Sequence, residues 1–165
     1  MTAKIDRHGS AEVTLPSDTE YLITRSFDAS AEAIFTALTT PDLVKRWWGF
    51  ETATWVVCDI DLRVGGQWRY VVKEPEYEIG FHGEFREIER PTRLVHTEAF
   101  EGIPDPDDHA ALNVLTLEEA EGVTTMTLLV QHTSKEDRDA VLESGMEAGL
   151  QLSYDRLDDL LGTAG

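Results

Sequence analysis

Asp61-Leu62-Arg63-Val64-Gly65-Gly66-Gln67-Trp68-Arg69-Tyr70 is the stretch that decides the fold. The end of one apolar segment meets a glycine pair, and large aromatics resume at alternate positions, Trp68 and Tyr70. Glycine tolerates the positive φ of a tight reversal. Alternating aromatics read as a strand with one face turned inward. The stretch is therefore strand, turn and strand of a curved sheet wrapped around something. Working outward, Thr54 to Ile60, Gln67 to Lys73, Glu78 to Ile88, Arg93 to Phe100, Ala111 to Glu119 and Thr124 to His132 each read as a strand. The links between them are short and rich in Gly, Pro and acids, so neighbours pair antiparallel; parallel pairing needs a long crossover. The longer acidic stretch Glu101 to Asp108 reads as an exposed loop.

Upstream, Tyr21 to Phe27 is a first strand. Asp28 and Ser30 offer caps to a short helix carrying Ile34, Phe35 and Leu38 on one face. Thr40-Pro41 starts a second, with Leu43, Val44 and Trp47 following. Downstream, Ser134 caps a helical segment whose stripe runs through Leu142, Met146, Gly149, Ser153, Leu157 and Leu161. Gly145 and Gly149 weaken it, so a break near Gly145 is expected, a short helix and then a long one. Residues 1–19 form an arm that frays or adds an edge strand through Glu12 to Leu15. The domain proper is expected at 20–162. Sheet and long helix each have one apolar face, and each needs the other to bury it.

The chain has 165 residues, the size of one domain with a core that needs no staples. Its 14 basic and 32 acidic residues give a net charge of −18. Such a surface repels phosphate backbones and anionic lipid headgroups, which argues against nucleic-acid binding and membrane insertion. It serves solubility, or it draws in a cationic ligand or basic partner. Cys58 is the only cysteine, so an intrachain disulfide and a cysteine-built zinc site are excluded, and its apolar setting suits an inert thiol. No signal peptide or membrane span is legible, so a cytoplasmic protein is expected. The histidines and acids show no metal-ligand spacing, and no nucleophile elbow, phosphate loop or dinucleotide fingerprint is present. No metal, cofactor or catalytic residue is assigned.

Phe27-Asp28-Ala29-Ser30, the helix through Phe35 and Leu38, Thr40-Pro41 and Trp47-Trp48 resemble the opening of a START-like polyketide-cyclase/lipid-transport (SRPBCC) domain. Asp61-x-Arg63-x-Gly65-Gly66-x-Trp68, the run His82 to Ile88, Pro91-x-Arg93-Leu94-Val95, Gly145-Met146-Glu147-Ala148-Gly149 and Asp155-Arg156-Leu157 resemble its branch of activators of heat-shock-protein-ninety ATPase homologues. The resemblance implies an α+β helix-grip fold like that of the birch-pollen allergen. In it a curved seven-stranded antiparallel sheet grips a long C-terminal helix, two short helices follow the first strand, and an internal hydrophobic cavity lies between.

Alternation names the walls. Met126, Leu128 and His132 share one face of the last strand; Phe81 and Phe85 alternate, as do Trp68 and Tyr70; Met146, Leu150 and Tyr154 face them from the helix, and Trp48 stands where the family has its entrance. The same set suits a ligand pocket or a solid core. His132 is the polar candidate, to orient a ligand or to move a proton, against a histidine bonded to backbone at a strand end. His96 is expected to pair with Glu98 or Glu84, and His82 to face water. Three functions follow. The first is binding of a small hydrophobic, lipid-like or aromatic molecule. The second is cyclase or hydratase chemistry on a polyketide-like substrate, which requires two polar groups converging inside the cavity. The third is chaperone co-regulation, which requires an exposed apolar patch. Monomer and homodimer both remain open.

Overall fold

The computed structural model describes residues 6–49 and 53–164. Eight strands form one open sheet in the order β1-β2-β8-β7-β6-β5-β4-β3, with every neighbouring pair antiparallel. They are β1 (Glu12–Ser17), β2 (Glu20–Phe27), β3 (Thr54–Ile60), β4 (Gln67–Lys73), β5 (Glu78–Glu89), β6 (Arg93–Phe100), β7 (Ala111–Ala120) and β8 (Val123–Gln131). The count corrects the expected seven. The additional strand is β1, whose polar, mostly exposed residues pair with β2 at one edge.

The helices are α1 (Ala31–Thr39), α2 (Pro41–Trp47), α3 (Lys135–Glu143) and α4 (Met146–Ala164). Ser30 caps α1 by accepting from the Ala33 N–H at 3.1 Å, and Ser134 caps α3 by accepting from Asp137 at 3.1 Å. Asp28 does not cap α1; its carboxylate takes both arms of the Arg7 guanidinium at 3.1 Å. Pro41 opens α2, where its missing N–H is no loss. Gly145 separates α3 from α4 with φ at 84°, a left-handed conformation that favours glycine.

α4 packs on α1, α2 and α3 and meets the inner face of β2 through Arg25 with Asp155 and Asp158 and through Phe27 with Tyr154. Phe27, Ile34, Phe35, Met126, Leu117 and Leu157 are almost wholly buried in this core. Each such side chain contributes roughly 1.5–3 kcal/mol. Trp47 ties α2 to α1 by donating its Nε1–H to the Ala37 carbonyl at 2.9 Å. Arg25 is buried on the inner face of β2 and reaches Asp155 and Asp158 of α4, both at 3.2 Å. No described helix is long and apolar enough to cross a membrane.

The loop after β6 docks on the outer, solvent side of the sheet. His82 of β5 spans it, with Nδ1 2.8 Å from Glu101 and Nε2 2.6 Å from Asp107, while Arg69 of β4 pairs with Glu101 at 2.9 Å. Burial pulls the His82 pKa down, but bonds to Asp107 and Glu101 outweigh it and the net shift is upward. A raised folded pKa means the stabilisation is complete below the unfolded pKa and is lost as pH rises through the folded one. Amide protection over 103–108, measured relative to the intrinsic base-catalysed exchange rate at each pH, should therefore fall from pH 6 to pH 9, by up to about fivefold for partly exposed pairs worth 0.2–1 kcal/mol. His82→Gln should remove that pH dependence; an unchanged profile would mean the loop docks without His82.

Candidate functional site

The inner face of the sheet is best followed row by row across the strands. One row runs from Trp68 on β4 through Gly83 on β5 to β6: continuing the pairs His82↔Ala99 and Phe85↔His96 sets Gly83 opposite Glu98. Glu98 then pairs with Ala111 of β7. The adjacent row runs Phe85, His96, Asn113, Val130 and Tyr21 over β5, β6, β7, β8 and β2. Tyr70 and Phe81 begin a third row, which continues to Phe100.

Gly83 is required by the close approach of Trp68. A Cβ there would fall 2.5 Å from the indole Nε1 and 1.8 Å from the Thr97 carbonyl oxygen. The indole instead crosses Gly83 and donates to that carbonyl at 3.0 Å. With Gly83 and Ala111 as its neighbours, the Glu98 carboxyl stands in a gap between small residues.

Most of the aromatics expected from the sequence are brought together. Trp48 lies 5.2 Å from Tyr70 and 5.7 Å from Phe81, ring centre to ring centre, and Tyr70 lies 4.8 Å from Trp68. Phe85 joins through His96, which is 6.2 Å from Phe85 and 5.6 Å from Trp68. Trp55 of β3, absent from the expected set, packs 5.4 Å from Trp48. Tyr154 stands apart from this wall, against Phe27 and Trp47. Met126 is 1% exposed and belongs to the solid core. Leu128, Met146 and Leu150 are half-buried against that core. His132 packs on Tyr21 at 5.5 Å, and its backbone N–H bonds the Thr19 carbonyl at 2.8 Å, just past the end of β8.

Polar groups gather in the same two rows, and the sequence reading missed most of them. His96, Glu98 and Tyr70 are deeply enclosed by protein, yet each keeps part of its surface uncovered. All three lie on the face of the sheet that carries the aromatic wall. His96 pairs with neither Glu98 nor Glu84; its Nε2 meets the Asn113 amide Nδ2 at 3.3 Å. The amide nitrogen can only donate, so the ring proton sits on Nδ1. Burial lowers the His96 pKa to about 4, and the ring is neutral at pH 7. His96 Nδ1, Asn113 Oδ1 and His132 Nε2 are buried with no hydrogen-bond partner among the described residues. Burial alone pushes the Glu98 carboxyl up to about 7, and no counter-charge relieves it. Burial pushes the Tyr21, Tyr70 and Tyr154 hydroxyls upward; Glu98 adds to this at all three, at Tyr70 after Cys58. Glu98 thus lies between β2, β4 and α4. Arg25 Nε, on β2, is unpartnered among the described residues as well; of these residues His96 and Asn113 are a cross-strand pair, and because buried polar groups are ordinarily satisfied, two open atoms on one pair call for an occupant.

Cys58 is half-buried, burial raises its pKa to about 11, and its Sγ sits 3.7 Å from the Pro41 carbonyl, so the thiol stays protonated. Among the described residues, no group of three or more His, Cys, Asp or Glu side chains is arranged to hold a metal ion.

The family model described as activator of Hsp90 ATPase homolog 1-like protein matches residues 28–162. The chain belongs to this family. It is a START/SRPBCC-type family, and solved structures share the fold. A Rhodobacter sphaeroides protein is 29% identical with a TM-score of 0.85, over 93% of this chain and 99% of that one. A Mycobacterium smegmatis protein is 26% identical with a TM-score of 0.80, over 91% of this chain and 95% of that one. An Arthrobacter aurescens protein is also 26% identical, with a TM-score of 0.79, over 92% of this chain and 91% of that one. No curated protein matches the chain significantly.

Proposed function

We propose that the protein binds a small hydrophobic or aromatic molecule between the sheet and α4. The observation that carries this reading is the convergence of unpartnered polar atoms, His96 Nδ1, Asn113 Oδ1 and His132 Nε2, beside a continuous aromatic wall. Apolar walls with a few orienting polar groups are what ligand sites are made of. The family's fold is compatible with such binding. Apolar burial drives it at roughly 25 cal/mol per Å², before the costs of association.

N-phenyl-1-naphthylamine, an uncharged apolar fluorophore, tests the reading. It should bind with one-to-one stoichiometry and shift NMR signals of Trp48, Tyr70, Phe81 and His96. Tyr70→Ala should weaken it by at least about tenfold, since a buried aromatic is worth 1.5–3 kcal/mol. No binding, or shifts confined to the outer face, would sink the proposal.

The second reading, proton transfer on a polyketide-like substrate, gains one specific observation. More than one polar group converges inside: Glu98 titrates near neutrality, with the Tyr21, Tyr70 and Tyr154 hydroxyls within its field. Chemical change in a bound compound, detected by mass, would move the assignment there. Chaperone co-regulation draws less support: the exposed large apolar residues include Leu15 on β1, Val56 on β3, Tyr77 in a turn and Leu152 on α4, on separate segments.

A further inference from the structure

Glu98 is the one inward-facing carboxyl whose setting the binding reading leaves unexplained. Its row neighbours Gly83 and Ala111 are small, the Trp68 indole crosses over Gly83 beside it, and no described side chain is seen to bond to it. Asn113 Oδ1, a buried acceptor with no partner among the described residues, lies two residue pairs further along β7, on the same face. Both are acceptors, one a potential full charge. Beside them stand Trp48, Tyr70 and Phe81, whose ring faces attract cations. The chain as a whole carries −18, which raises the local concentration of cations and lowers that of anions.

We infer that the ligand carries a protonated amine, held by the Glu98 carboxylate and Asn113 Oδ1, with its aromatic or apolar body on the wall of Trp48, Tyr70 and Phe81. The inference rests on the binding reading and narrows its ligand class. An ammonium supplies up to three donors for the two acceptors, the Glu98 carboxylate and Asn113 Oδ1. A charge-assisted bond of this kind is roughly twice as strong as a neutral one. A carboxylate ligand would meet Glu98 as a like charge.

Burial holds Glu98 partly protonated near neutral pH, so an arriving ammonium displaces a proton to solvent. The groups facing Glu98 are Tyr21 from β2, Tyr70 from β4, Tyr154 from α4, and His96 on its own strand. Burial raises the three tyrosines and lowers His96, so all four are neutral at pH 7 and none supplies a competing cation.

The test compares 1-naphthylmethylamine with its hydrocarbon isostere 1-ethylnaphthalene and with 1-naphthylacetate, on the full chain and on Glu98→Gln at pH 7.5. The native protein should bind the amine at least about tenfold more tightly than the hydrocarbon, the effect of one charge-assisted bond. Calorimetry in buffers of different ionisation heat should show proton release with the amine alone. Glu98→Gln should keep hydrocarbon binding, which shows that the cavity is intact, and bring the amine level with it. Equal binding of amine and hydrocarbon, a preference that survives Glu98→Gln, or tighter binding of the acetate would each overturn the inference while leaving the binding reading standing. Failure of all three compounds overturns both.

Discussion

Replacing Arg25 with alanine is expected to cost about 3–5 kcal/mol, the penalty for leaving partners of a buried charge uncompensated. The Arg25 side chain is wholly buried, while Asp155 and Asp158 are only 19% and 14% exposed. Its Nη2 reaches both carboxylates at 3.2 Å, Nη1 donates to the Ser26 carbonyl at 2.6 Å, and the guanidinium lies 4.6 Å from the centre of the Phe27 ring. This cluster fastens α4 to β2, and Asp155 also accepts the Gly9 N–H at 2.9 Å. Truncation removes the packing, orphans two acids and loosens the approach of residue 9 to the helix. At this chain length 1 kcal/mol moves the melting temperature by about 2–4 °C, so a fall of about 6–20 °C is expected. Arg25→Lys should recover only part of it, because an ammonium bridging the two carboxylates cannot also donate to the Ser26 carbonyl as Nη1 does, and it lacks the guanidinium plane. Arg25→Met combined with Asp155→Asn and Asp158→Asn should recover more than Arg25→Met alone. A loss below about 1 kcal/mol for Arg25→Ala would mean the cluster is solvated like an ordinary surface pair.

Arg25 also shows where sequence reasoning works and where it stops. Alternation puts Arg25 on the same face as Tyr21, Ile23 and Phe27, but nothing local says what would neutralise it there, because its partners are 130 and 133 residues away. The strands themselves were legible: β3 and β4 run where alternation and the Gly65-Gly66 turn put them. The caps at Ser30 and Ser134 and the helix break at Gly145 were legible because each depends on one residue's local chemistry. The count of seven comes from the family resemblance; the eighth strand, β1, is the edge strand that the alternation of Glu12 to Leu15 offers as one of two readings of the arm, because an exposed edge has no buried face to decide it. The aromatic half of the site was readable for the same reason as the strands. The polar half was not. Leu94 and Val95 are adjacent and both buried, which hides the parity of β6, and a register shift between Phe85 and Glu87 breaks the count from β5. Glu98 therefore reads only as a partner for His96. Asn113 was the available clue, since it alternates with Ala111, Leu115 and Leu117, all inward and buried.

Glu98→Gln should stabilise the unliganded protein at pH 8 by about 2 kcal/mol and leave it unchanged at pH 4. The folded carboxyl titrates at about 7 against 4.5 in the unperturbed group, because burial disfavours its charge. Below pH 4.5 both states hold the proton and the residue is neutral to stability. Between the two values the unfolded chain has released its proton while the folded one has not, so stability falls as pH rises. Above pH 7 the full penalty is in place, at most about 3 kcal/mol. The side of Glu98 facing the internal space stays wetted, which brings the expectation to about 2. Glutamine keeps the shape and never ionises, so the difference between native and variant isolates this one titration. It appears as a melting temperature about 4–8 °C higher for the variant at pH 8. A gain that persists at pH 4 would mean that glutamine improves packing and that charge is irrelevant. No gain at pH 8 would mean that Glu98 already has a counter-charge. The predicted pH-dependent gain would identify an acid whose presence weakens the empty fold, which is intelligible if a bound cation ordinarily relieves it.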